Sequence, residues 1–429
     1  MIDLRVPGDK SVAHRFLILA TLADGESNFS GVPASLDVGS TIACLRELGA
    51  TVEDRGRGEF RVAGPSSWRS PTKPLDCGNS GTTARLLTGL IAGLGIEAEL
   101  TGDSSLLLRP MDRIVYPLQA MGAKLSFVER PDRLPVRLEG RSSGGLRTLR
   151  YRPRVSSAQV RAALLLAALA GRTDLEILDR LRPRDHTERI LRAMGAPVIS
   201  EGQASGERIR FPGASWDRGL QPINAGVPGD LSSAAFLVVA ALLTRTPVRI
   251  REIGANPTRT GFLRVLAEMG AQVDLTETGA QAGEPVGDLS VEASALRPFV
   301  VDESLVPQLI DEIPALVVLA SRVEGVSVIR GASELRVKES DRLALLVSNL
   351  RALGVGCEEL SDGLRVHGSS APLNGVVRTE GDHRIAMAFG ALGVAPGCAI
   401  TVDNVECVDV SFPGFWETLT EVTSGEDMQ

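Results

Sequence analysis

Lysine is rare in this chain, which draws attention to the few positions that keep it. The 429-residue sequence has 46 basic residues, and only four are lysine: Lys10, Lys73, Lys124 and Lys338. Lysine offers a compact charge whose pKa shifts readily, whereas arginine stays charged and presents a planar fork. Lys10 lies in the turn GDKS and Lys338 in the loop ELRVKESDR, so both are candidates for a site that needs this chemistry.

Six apolar segments open with a polar turn of the kind that binds anions. A helix N-terminus presents unpaired N–H groups and about half a positive charge, which suits phosphate or carboxylate. The turns read GDKS, GNSGTT, SSAQ, GDLSS, IDE and GDHR. Cations in these turns, or in the loops before other helices, are Lys10, Arg15, Arg85, Arg109, Arg184, Lys338, Arg342 and Arg384. A solvated surface charge explains any one of them, but the whole set indicates anion binding.

Spacing excludes several other kinds of site. The segment PGDKS is not a P-loop, because an aspartate precedes its lysine and the first glycine of that motif is missing. Five cysteines without CxxC spacing and four histidines without an HExxH pattern argue against zinc and indicate reduced thiols. The acidic pairs Asp302-Glu303 and Asp311-Glu312 lack matching ligands for another metal. A net charge of −7 without a basic run argues against nucleic-acid binding.

Composition predicts a globular protein, with 43% hydrophobic and 23% charged residues. The start, MIDLRVPGDKS, lacks the apolar core of an export signal. The longest apolar run, from Ala234 to Leu243, is far shorter than the roughly 20 residues that cross a bilayer. We therefore expect a cytoplasmic protein with no membrane association.

Internal repeats predict the fold class. The segment Leu-x-x-Met/Leu-Gly-Ala, with one looser copy, recurs at intervals of roughly 75 residues. Its glycines are Gly49, Gly122, Gly195, Gly270 and Gly354. Each follows a helical apolar pattern, as a helix C-cap does. The six apolar segments alternate with these helices and are apolar nearly all round, so we expect them to be buried.

The repeats also predict the domain organisation, because six units divide into three per domain. Each unit holds a buried helix, a strand, a more amphipathic helix and further short strands, which makes an α/β protein. Val227-Pro228-Gly229 resembles Val6-Pro7-Gly8 and marks the seam. We expect an N-terminal domain over 9–227, a C-terminal domain over 228–429 plus 1–8, and two crossings of the chain between them.

Nine motifs together resemble one enzyme family. They are PGDKSVAHR, LDCGNSGTTAR, TGDSSLLLRPM, SSAQVRAALL, RDHTE, PGDLSSAAF, LIDEIP, ELRVKESDR and GDHRIAMA. In this order and spacing, from about residue 5 to residue 416, they are similar to those of the 5-enolpyruvylshikimate-3-phosphate synthases. The resemblance implies an inverse α/β barrel in each of two domains, six β-α-β-α-β-β repeats, a two-strand hinge and an active site in the interdomain cleft.

The resemblance also implies a reaction. The family transfers the enolpyruvyl group of phosphoenolpyruvate to the 5-hydroxyl of shikimate 3-phosphate and releases phosphate, a step of chorismate and aromatic amino acid biosynthesis. The two substrates are the implied partners, with domain closure around them. No metal and no organic cofactor is implied, and we expect a monomer.

The implied site residues follow from the matching motifs. Shikimate 3-phosphate is held by Lys10, Ser11, Arg15, Ser157, Gln159, Arg184, Asp311 and Lys338. Phosphoenolpyruvate is held by Lys10, Asn79, Gly81, Arg109, Gln159, Arg342 and Arg384. Arginine forks suit both carboxylate and phosphate oxygens. Arg85 shares the turn of Asn79 and is a weaker candidate.

The implied chemistry needs two proton transfers, through a tetrahedral phosphoketal intermediate. Asp311 is the candidate base for the 5-hydroxyl. Lys338 and Glu339 are the candidate pair for the methylene proton and the departing phosphate. Asp311 also precedes a predicted helix, so a capping role is an alternative that is compatible with catalysis.

The sequence is compatible with two alternative functions, and it departs from the family pattern at one position. The UDP-N-acetylglucosamine enolpyruvyl transferases carry an N-terminal Lys-Asn motif and a loop cysteine, whereas here Ser11 follows Lys10 and no cysteine lies near Arg109. A non-catalytic repeat protein that binds phosphometabolites would not need the charged groups named above. Many family members have lysine where this chain has Val410. Because Gly81 leaves its pocket open, we expect glyphosate to compete with phosphoenolpyruvate.

Overall fold

The computed structural model describes residues 1–141, 144–203 and 206–423. The chain divides into two compact units. The N-terminal unit consists of Gly8–Val227 and Ala280–Glu284. The C-terminal unit consists of Met1–Pro7, Pro228–Gly279 and Pro285–Gln429. Each unit has its own hydrophobic core.

The N-terminal unit is built from three repeats of one strand and helix pattern. The first repeat has α1 (Lys10–Ala20), β2 (Glu26–Ser30), α2 (Leu36–Glu47), β3 (Thr51–Gly56), β4 (Glu59–Ala63) and β13 (Asn224–Gly226). Its sheet has the order β13-β2-β4-β3, with β13 parallel to β2 and the other pairs antiparallel. The first strand of this repeat therefore comes from the far end of the unit.

The other two repeats of this unit are continuous in sequence. One has β5 (Leu75–Asp76), α3 (Gly81–Leu94), β6 (Ala98–Thr101), α4 (Asp112–Ala120), β7 (Leu125–Phe127) and β8 (Val136–Leu138). The next has β9 (Leu149–Tyr151), α5 (Ala158–Ala170), β10 (Asp174–Asp179), α6 (His186–Ala193), β11 (Ile199–Gln203) and β12 (Gly206–Pro212). Their sheets have the orders β5-β6-β8-β7 and β9-β10-β12-β11, the same arrangement as in the first repeat.

The C-terminal unit repeats the pattern. Its first repeat has β1 (Ile2–Leu4), α7 (Leu231–Thr244), β14 (Val248–Gly254), α8 (Gly261–Glu268), β15 (Gln272–Gln281) and β16 (Glu284–Glu292). Strand β1 pairs in parallel with β14, so the start of the chain supplies the first strand of a repeat whose other elements follow residue 230. The sheet order is β1-β14-β16-β15.

The remaining two repeats complete the C-terminal unit. One has β17 (Val300–Val301), α9 (Val306–Leu309), α10 (Ile313–Ala320), β18 (Gly325–Ile329), α11 (Arg342–Ala352), β19 (Gly356–Leu360) and β20 (Gly363–Gly368). The last has β21 (Asn374–Val377), α12 (His383–Gly393), β22 (Ala399–Val402) and α13 (Phe415–Thr423). The orders are β17-β18-β20-β19 and, in a sheet cut down to two parallel strands, β21-β22.

The helices that open each repeat form the centre of each unit. In α7, which is apolar on every side, all residues but Leu243 are buried. Helices α3 and α5 of the N-terminal unit are buried over most of their length in the same way. Full burial of one leucine or phenylalanine side chain contributes about 1.5–3 kcal/mol, so these helices hold their N-terminal turns on a rigid core.

The more amphipathic helices end as their Leu-Gly-Ala segments predict. The glycine after each of them has a positive φ, which a residue with a Cβ adopts only at a cost. The angles are 102° at Gly49, 91° at Gly122, 90° at Gly195, 91° at Gly270 and 84° at Gly354. The five repeated glycines thus directly follow the C-cap residues and end their helices, as predicted.

The division into units differs in two places from the predicted boundaries. Gly8 groups with the N-terminal unit, and so does the short turn between β15 and β16. Within that unit, the Gly226 N–H donates to Gln281 Oε1 at 2.9 Å, and His186 Nδ1 lies 3.0 Å from Glu284 Oε1. These contacts depend on partners that are far apart in sequence, and no local pattern reveals them. Among the residues that the structure describes, none of the helices has the length and apolar character of a membrane span.

Candidate active site

Most predicted site residues of the N-terminal unit lie at the starts of its three central helices, and Arg109 and Arg184 lie in the loops before α4 and α6. Asp9 caps α1 by accepting from the backbone N–H groups of Ser11 and Val12, at 2.7 and 3.2 Å. Ser80 caps α3 in the same way through the N–H of Thr83, at 3.2 Å. The remaining first-turn N–H groups and the positive end of each helix favour anions there.

Lys10 and Arg15 are the cations of α1. Lys10 Nζ lies 2.7 Å from Asp37 Oδ2, in the first turn of α2, and both side chains are mostly buried. Arg15 is buried, and its guanidinium donates to Thr187 Oγ1 at 2.7 Å and to the Ser11 carbonyl at 2.8 Å. Burial lowers the pKa of Arg15 to about 10, although the charges of Glu188, Asp9 and Glu284 raise it. A charge held in this way is suited to an anionic ligand.

The start of α3 brings four predicted polar side chains together near Gly81. Arg109 Nη2 donates to Asn79 Oδ1 at 2.5 Å, and Arg85 Nη1 donates to Gln159 Oε1 at 2.7 Å. A Cβ placed on Gly81 would lie 2.7 Å from Arg85 Nη1 and 3.5 Å from Arg109 Nη1. Both guanidinium groups therefore converge on the glycine, and the missing side chain keeps the space between them open.

The start of α5 holds Ser157 at its N-cap position, without a side-chain capping bond. The preceding Ser156 donates to Asp179, and Asp179 in turn binds Arg161 at 2.9 Å. Arg161 also lies 3.3 Å from Glu188 and 2.7 Å from Glu207. These carboxylates hold the pKa of Arg161 above its usual value although burial lowers it. Arg161 thus anchors the serine turn and is neutralised within the unit.

Arg184 lies in the loop before α6 and is a further cation of the N-terminal unit. It is half-buried, and its positive charge is one of the causes that lower the pKa of Arg15. An anion that contacts both guanidinium groups offsets the repulsion between these two cations.

A buried chain of hydroxyl groups supports this half of the site. His14 Nδ1 lies 2.7 Å from Thr41 Oγ1, which lies 2.7 Å from Thr83 Oγ1. Thr83 Oγ1 donates to Ser80 Oγ at 2.7 Å. Burial lowers the pKa of His14 to about 4, so the ring is neutral at pH 7. The chain connects α1, α2 and the capping residue of α3 without adding charge.

The predicted residues of the C-terminal unit form a second group, around Asp311. Asp311 lies in the turn before α10, and its Oδ1 atom is 3.3 Å from Lys338 Nζ and 3.6 Å from Arg342 Nη1. Arg384 Nη1 donates to the Asp311 carbonyl at 3.0 Å. One carboxylate, one lysine and two arginines are therefore in direct contact.

Arg342 is the centre of the second group. Its side chain is fully buried and contacts Asp382 at 2.8 Å, Glu339 at 2.5 Å and Asp311. These carboxylates raise its pKa above the usual value, although burial lowers it. Asp382 also caps α12 through the Arg384 N–H, at 3.0 Å. Glu339 and Lys338 are neighbours in the chain, and both reach this cluster.

The structure thus gathers the predicted residues into two groups, one in each unit. The N-terminal group contains Lys10, Ser11, Arg15, Asn79, Gly81, Arg109, Ser157, Gln159 and Arg184. The C-terminal group contains Asp311, Lys338, Glu339, Arg342 and Arg384. Arg85, a weaker candidate from sequence, is bonded to Gln159 in the first group.

Sequence reasoning missed two acids that touch these groups. Asp37 binds Lys10 across 27 residues, and Asp382 binds Arg342 across 40 residues. Their one local signal is an acid in or before the first turn of a helix, which is also a routine capping pattern. Among the residues that the structure describes, no group of three or more histidine, cysteine or acidic side chains is arranged to hold a metal ion.

Comparison with known proteins identifies the family. The family model described as EPSP synthase (3-phosphoshikimate 1-carboxyvinyltransferase) matches residues 2–419. A 3-phosphoshikimate 1-carboxyvinyltransferase of Roseiflexus castenholzii is 44% identical over 427 residues, which cover 98% of this chain and 96% of the relative. Its counterpart in Thermus thermophilus is 46% identical over 420 residues, with 97% of this chain and 95% of the relative covered.

Solved structures agree with this assignment. An EPSP synthase from Acinetobacter baumannii has a TM-score of 0.83 and 35% identity, covering 98% of this chain and 95% of that chain. The enolpyruvyl transferase NikO from Streptomyces tendae has a TM-score of 0.75 at 19% identity, covering 98% and 94%, and shows the fold alone. The predicted α/β fold is confirmed at the level of the enolpyruvyl transferases. The predicted enzyme class is confirmed, and the UDP-N-acetylglucosamine alternative is not favoured. The chain belongs to the family of EPSP synthases, the 3-phosphoshikimate 1-carboxyvinyltransferases.

Proposed function

We propose that the two groups of residues serve one reaction, in which the enolpyruvyl group of phosphoenolpyruvate is transferred to the 5-hydroxyl of shikimate 3-phosphate. Each substrate carries one carboxylate and a phosphate of about −1.5 to −2 charge. The pair therefore brings roughly −5 to −6, in a protein of net charge −7. The observation that carries the proposal is the concentration of buried or half-buried cations at these helix starts.

Shikimate 3-phosphate is assigned to the starts of α1 and α5 and to Asp311. Arg15 donates to neutral oxygens, and Arg184 adds a second positive charge beside it. Ser157, at the N-cap position of α5, has its hydroxyl available for a ligand because it makes no capping bond. The full assigned set is Lys10, Ser11, Arg15, Ser157, Gln159, Arg184, Asp311 and Lys338.

Phosphoenolpyruvate is assigned to the start of α3 and to the arginines of the C-terminal unit. Arg109 and the open space over Gly81 suit a small dianion, since a guanidinium fork binds phosphate or carboxylate through two parallel bonds. The full assigned set is Lys10, Asn79, Gly81, Arg109, Gln159, Arg342 and Arg384. Val410 lies in a short helical turn over Glu406–Val410 and is given no role.

Proton transfer is assigned to the C-terminal group. Asp311 takes the proton of the 5-hydroxyl while the hydroxyl oxygen attacks C2 of phosphoenolpyruvate. The methylene carbon C3 gains a proton from the Lys338 and Glu339 pair. The product of this addition is the tetrahedral phosphoketal. In the elimination step the Lys338 and Glu339 pair takes a proton back from C3 and the enol ether double bond forms. The C–O bond to phosphate breaks, and the proton held by Asp311 leaves with the phosphate. General acid and base groups in such steps contribute about 10²–10⁴ in rate.

The finer architecture belongs to the same proposal. Three repeats per unit, with central helices surrounded by small sheets, support an inverse α/β barrel in each unit. The crossings after Pro7 and after Val227 are the proposed two-strand hinge. We propose that the two units are the two domains that together supply the active site. A monomeric state and a cytoplasmic location stay predictions.

A coupled phosphate-release assay tests the proposed function. Phosphate release is expected only when phosphoenolpyruvate and shikimate 3-phosphate are both present, with an enol ether product in equal amount. Each substrate is omitted in turn as the control. Phosphate release without shikimate 3-phosphate, or product formation from UDP-N-acetylglucosamine instead, would contradict the assignment.

A further inference from the structure

A second ionic cluster includes the residue next to Asp311 in the chain and has no role in the mechanism described above. Glu312, the next residue in the chain, has a completely buried side chain. Its carboxylate accepts from the Ser232 hydroxyl and lies 3.6 Å from Arg259 Nη1. Arg259 is also buried and lies 2.6 Å from Asp230 and 2.9 Å from Ser232 Oγ. We call Asp230, Ser232, Arg259 and Glu312 the Arg259 cluster.

The Arg259 cluster connects two of the central helices of the C-terminal unit. Asp230 caps α7 by accepting from the Ser232 N–H at 2.9 Å. Glu312 immediately precedes α10. Arg259, in the segment before α8, donates a hydrogen bond to Asp230 and forms an ion pair with Glu312 at 3.6 Å. The start of α10 is therefore tied to the start of α7 through a guanidinium that contacts two carboxylates.

Stability alone does not account for such a cluster. Removing charges from water costs several kcal/mol per ion, and a buried ion pair is often no more stabilising than well-packed apolar residues. A guanidinium does constrain the positions of its partners, because its planar set of N–H donors suits only a narrow range of acceptor positions. Through the Glu312 side chain, the cluster contacts the residue that follows Asp311 in the chain.

Asp311 is held from the opposite side by the site itself. The charged groups that face it are Lys338 from the loop before α11, Arg342 from α11 and Arg384 from α12. Arg342 is in turn bound to Glu339 and Asp382. Asp311 thus contacts Lys338 and Arg342, whereas Glu312 contacts Ser232 and Arg259.

We propose that Arg259 and Glu312 are positioning residues for Asp311, which hold its carboxylate against Lys338 and Arg342 in the geometry needed for proton transfer. This inference rests on the proposed function, since it requires Asp311 to be the base. A displacement of about 1 Å at a reacting group costs about a hundredfold in rate. Neither residue touches the substrates in this scheme, so the effect falls on turnover and not on substrate binding.

The variants Glu312→Gln and Arg259→Lys test the proposal. The first keeps the size of the side chain and its bond to Ser232 but removes its charge. The second keeps the charge but loses the fork that reaches two carboxylates. We expect kcat to fall about tenfold to a hundredfold, with the KM of both substrates within about twofold. Glu312→Asp, which keeps the charge, is expected to recover part of the loss.

The pH profile of kcat separates positioning from loss of stability. Nearby opposite charges lower a carboxylate pKa by about 1–3 units. If the variants move Asp311 away from Lys338 and Arg342, the acidic limb of kcat shifts to higher pH, by about one unit. A matched control is Glu268→Gln, which breaks an exposed ion pair with Arg264 on α8 and is expected to leave kcat and its pH profile unchanged.

A double-mutant cycle with Asp311→Asn distinguishes this proposal from the proposed function. If Glu312 acts through Asp311, adding Glu312→Gln to the Asp311→Asn variant lowers kcat no further. Wild-type kcat in Asp311→Asn would remove Asp311 from the mechanism. With Asp311→Asn inactive, a wild-type kcat and pH profile in both cluster variants would overturn the positioning role. So would a loss of kcat that follows the melting temperature with an unchanged pH profile.

Discussion

The two units differ in the side chains that lie one turn into their central helices. In the N-terminal unit these helices carry a buried arginine there, at Arg15, Arg85 and Arg161. In the C-terminal unit α7, α10 and α12 are apolar at the same depth, and their acids lie at or just before the helix start, at Asp230, Asp311-Glu312 and Asp382. One repeat architecture therefore holds buried cations inside the first turns of one unit and only apolar residues there in the other.

The arginines of the N-terminal unit also differ among themselves. Arg161 is surrounded by three carboxylates that raise its pKa, whereas Arg15 donates to neutral oxygens and burial lowers its pKa to about 10. Arg85 likewise donates to neutral oxygens, the amide oxygen of Gln159 and the carbonyl of Pro110. A buried cation with neutral partners is the one that gains most from an anionic ligand. The partners of each arginine, and not its position in the repeat, distinguish binding from support.

The comparison between the units predicts its largest effect at Asp311. Asp311→Asn keeps the shape of the side chain but removes the base, so kcat is expected to fall by about 10²–10⁴. Substrate binding and the melting temperature are expected to remain near those of the wild type. Phosphate-release kinetics and a thermal melt measure both. The exposed Asp274→Asn is the control, and a near-native kcat in Asp311→Asn would show that Asp311 is not the base.

A second prediction contrasts Arg161 with Arg15. Arg161→Met leaves three carboxylates without their cation, so we expect the free energy of unfolding to fall by about 3–5 kcal/mol. Arg15→Met removes a cation with neutral partners, so we expect little loss of stability but a KM for shikimate 3-phosphate raised about ten- to a hundredfold, since bonds to charged groups contribute about 1.5–3 kcal/mol. Denaturant unfolding and steady-state kinetics test the contrast.

The exposed Arg137→Met is the control for this pair. Arg137 binds Glu99 at the surface, and such a pair contributes less than about 1 kcal/mol. Equal losses of stability in Arg161→Met and Arg15→Met would show that both arginines contribute to stability in the same way. That result would contradict the distinction between a supporting Arg161 and a binding Arg15.

A third prediction concerns His14, beneath the binding half of the site. Its pKa of about 4 in the folded protein is below the value of about 6.5 in an unfolded chain. The unfolded state therefore binds the extra proton first, and stability is lost as the pH falls from about 6.5 to 4, by about 3 kcal/mol. Above pH 6.5 the ring is neutral in both states, and this pH dependence disappears.

The variant His14→Gln isolates that contribution, because other groups titrate equally in both proteins. The difference in unfolding free energy between wild type and variant is expected to change by about 3 kcal/mol between pH 7 and pH 4, measured by urea unfolding. The exposed His367→Gln is expected to show no such change. A pH-independent difference for His14→Gln would mean that the hydroxyl chain is accessible to water.

The smallest expected effect is at Gly81. A Cβ there meets the end of the Arg85 side chain at 2.7 Å, and a flexible side chain moves aside at the cost of its bond to Gln159. Gly81→Ala is expected to raise the KM for phosphoenolpyruvate about tenfold, the loss of about one hydrogen bond, and to leave the KM for shikimate 3-phosphate unchanged. Glyphosate inhibition, expected to be competitive with phosphoenolpyruvate, is expected to weaken in parallel. Gly39→Ala, in open space on α2, is the control; an equal rise in both KM values would contradict the assignment of this pocket.

Much of the fold was predictable because it depends on short-range patterns. The Leu-Gly-Ala segments predicted the helix ends, and the apolar runs such as Ala234 to Leu243 predicted the buried helices. Other features were not predictable. The pairing of Ile2–Leu4 with β14 and of Asn224–Gly226 with β2 joins segments about 200 or more residues apart. Three-residue strands carry too little pattern to indicate their partners.

The candidate site shows the same division. Motifs that match a family in order and spacing identified Lys10, Arg109, Asp311 and Arg342 from sequence. Asp37 and Asp382 were not predicted as site residues, because an acid near a helix start is a routine capping pattern and its basic partner lies elsewhere in the chain. The contacts of Arg161, which set it apart from Arg15, were equally hidden.

By itself, the order of residues determined which segments become helices, which of their turns can receive an anion and which family the chain resembles, because these properties depend on neighbours a few positions away. Only the tertiary structure decided which acid meets which base. Lys10 with Asp37, Lys338 with Asp311 and Arg259 with Glu312 are pairs separated by 27, 27 and 53 residues. The strength and the pKa effect of each pair depend on distance and burial, which are set when the helices pack and not by the spacing along the chain.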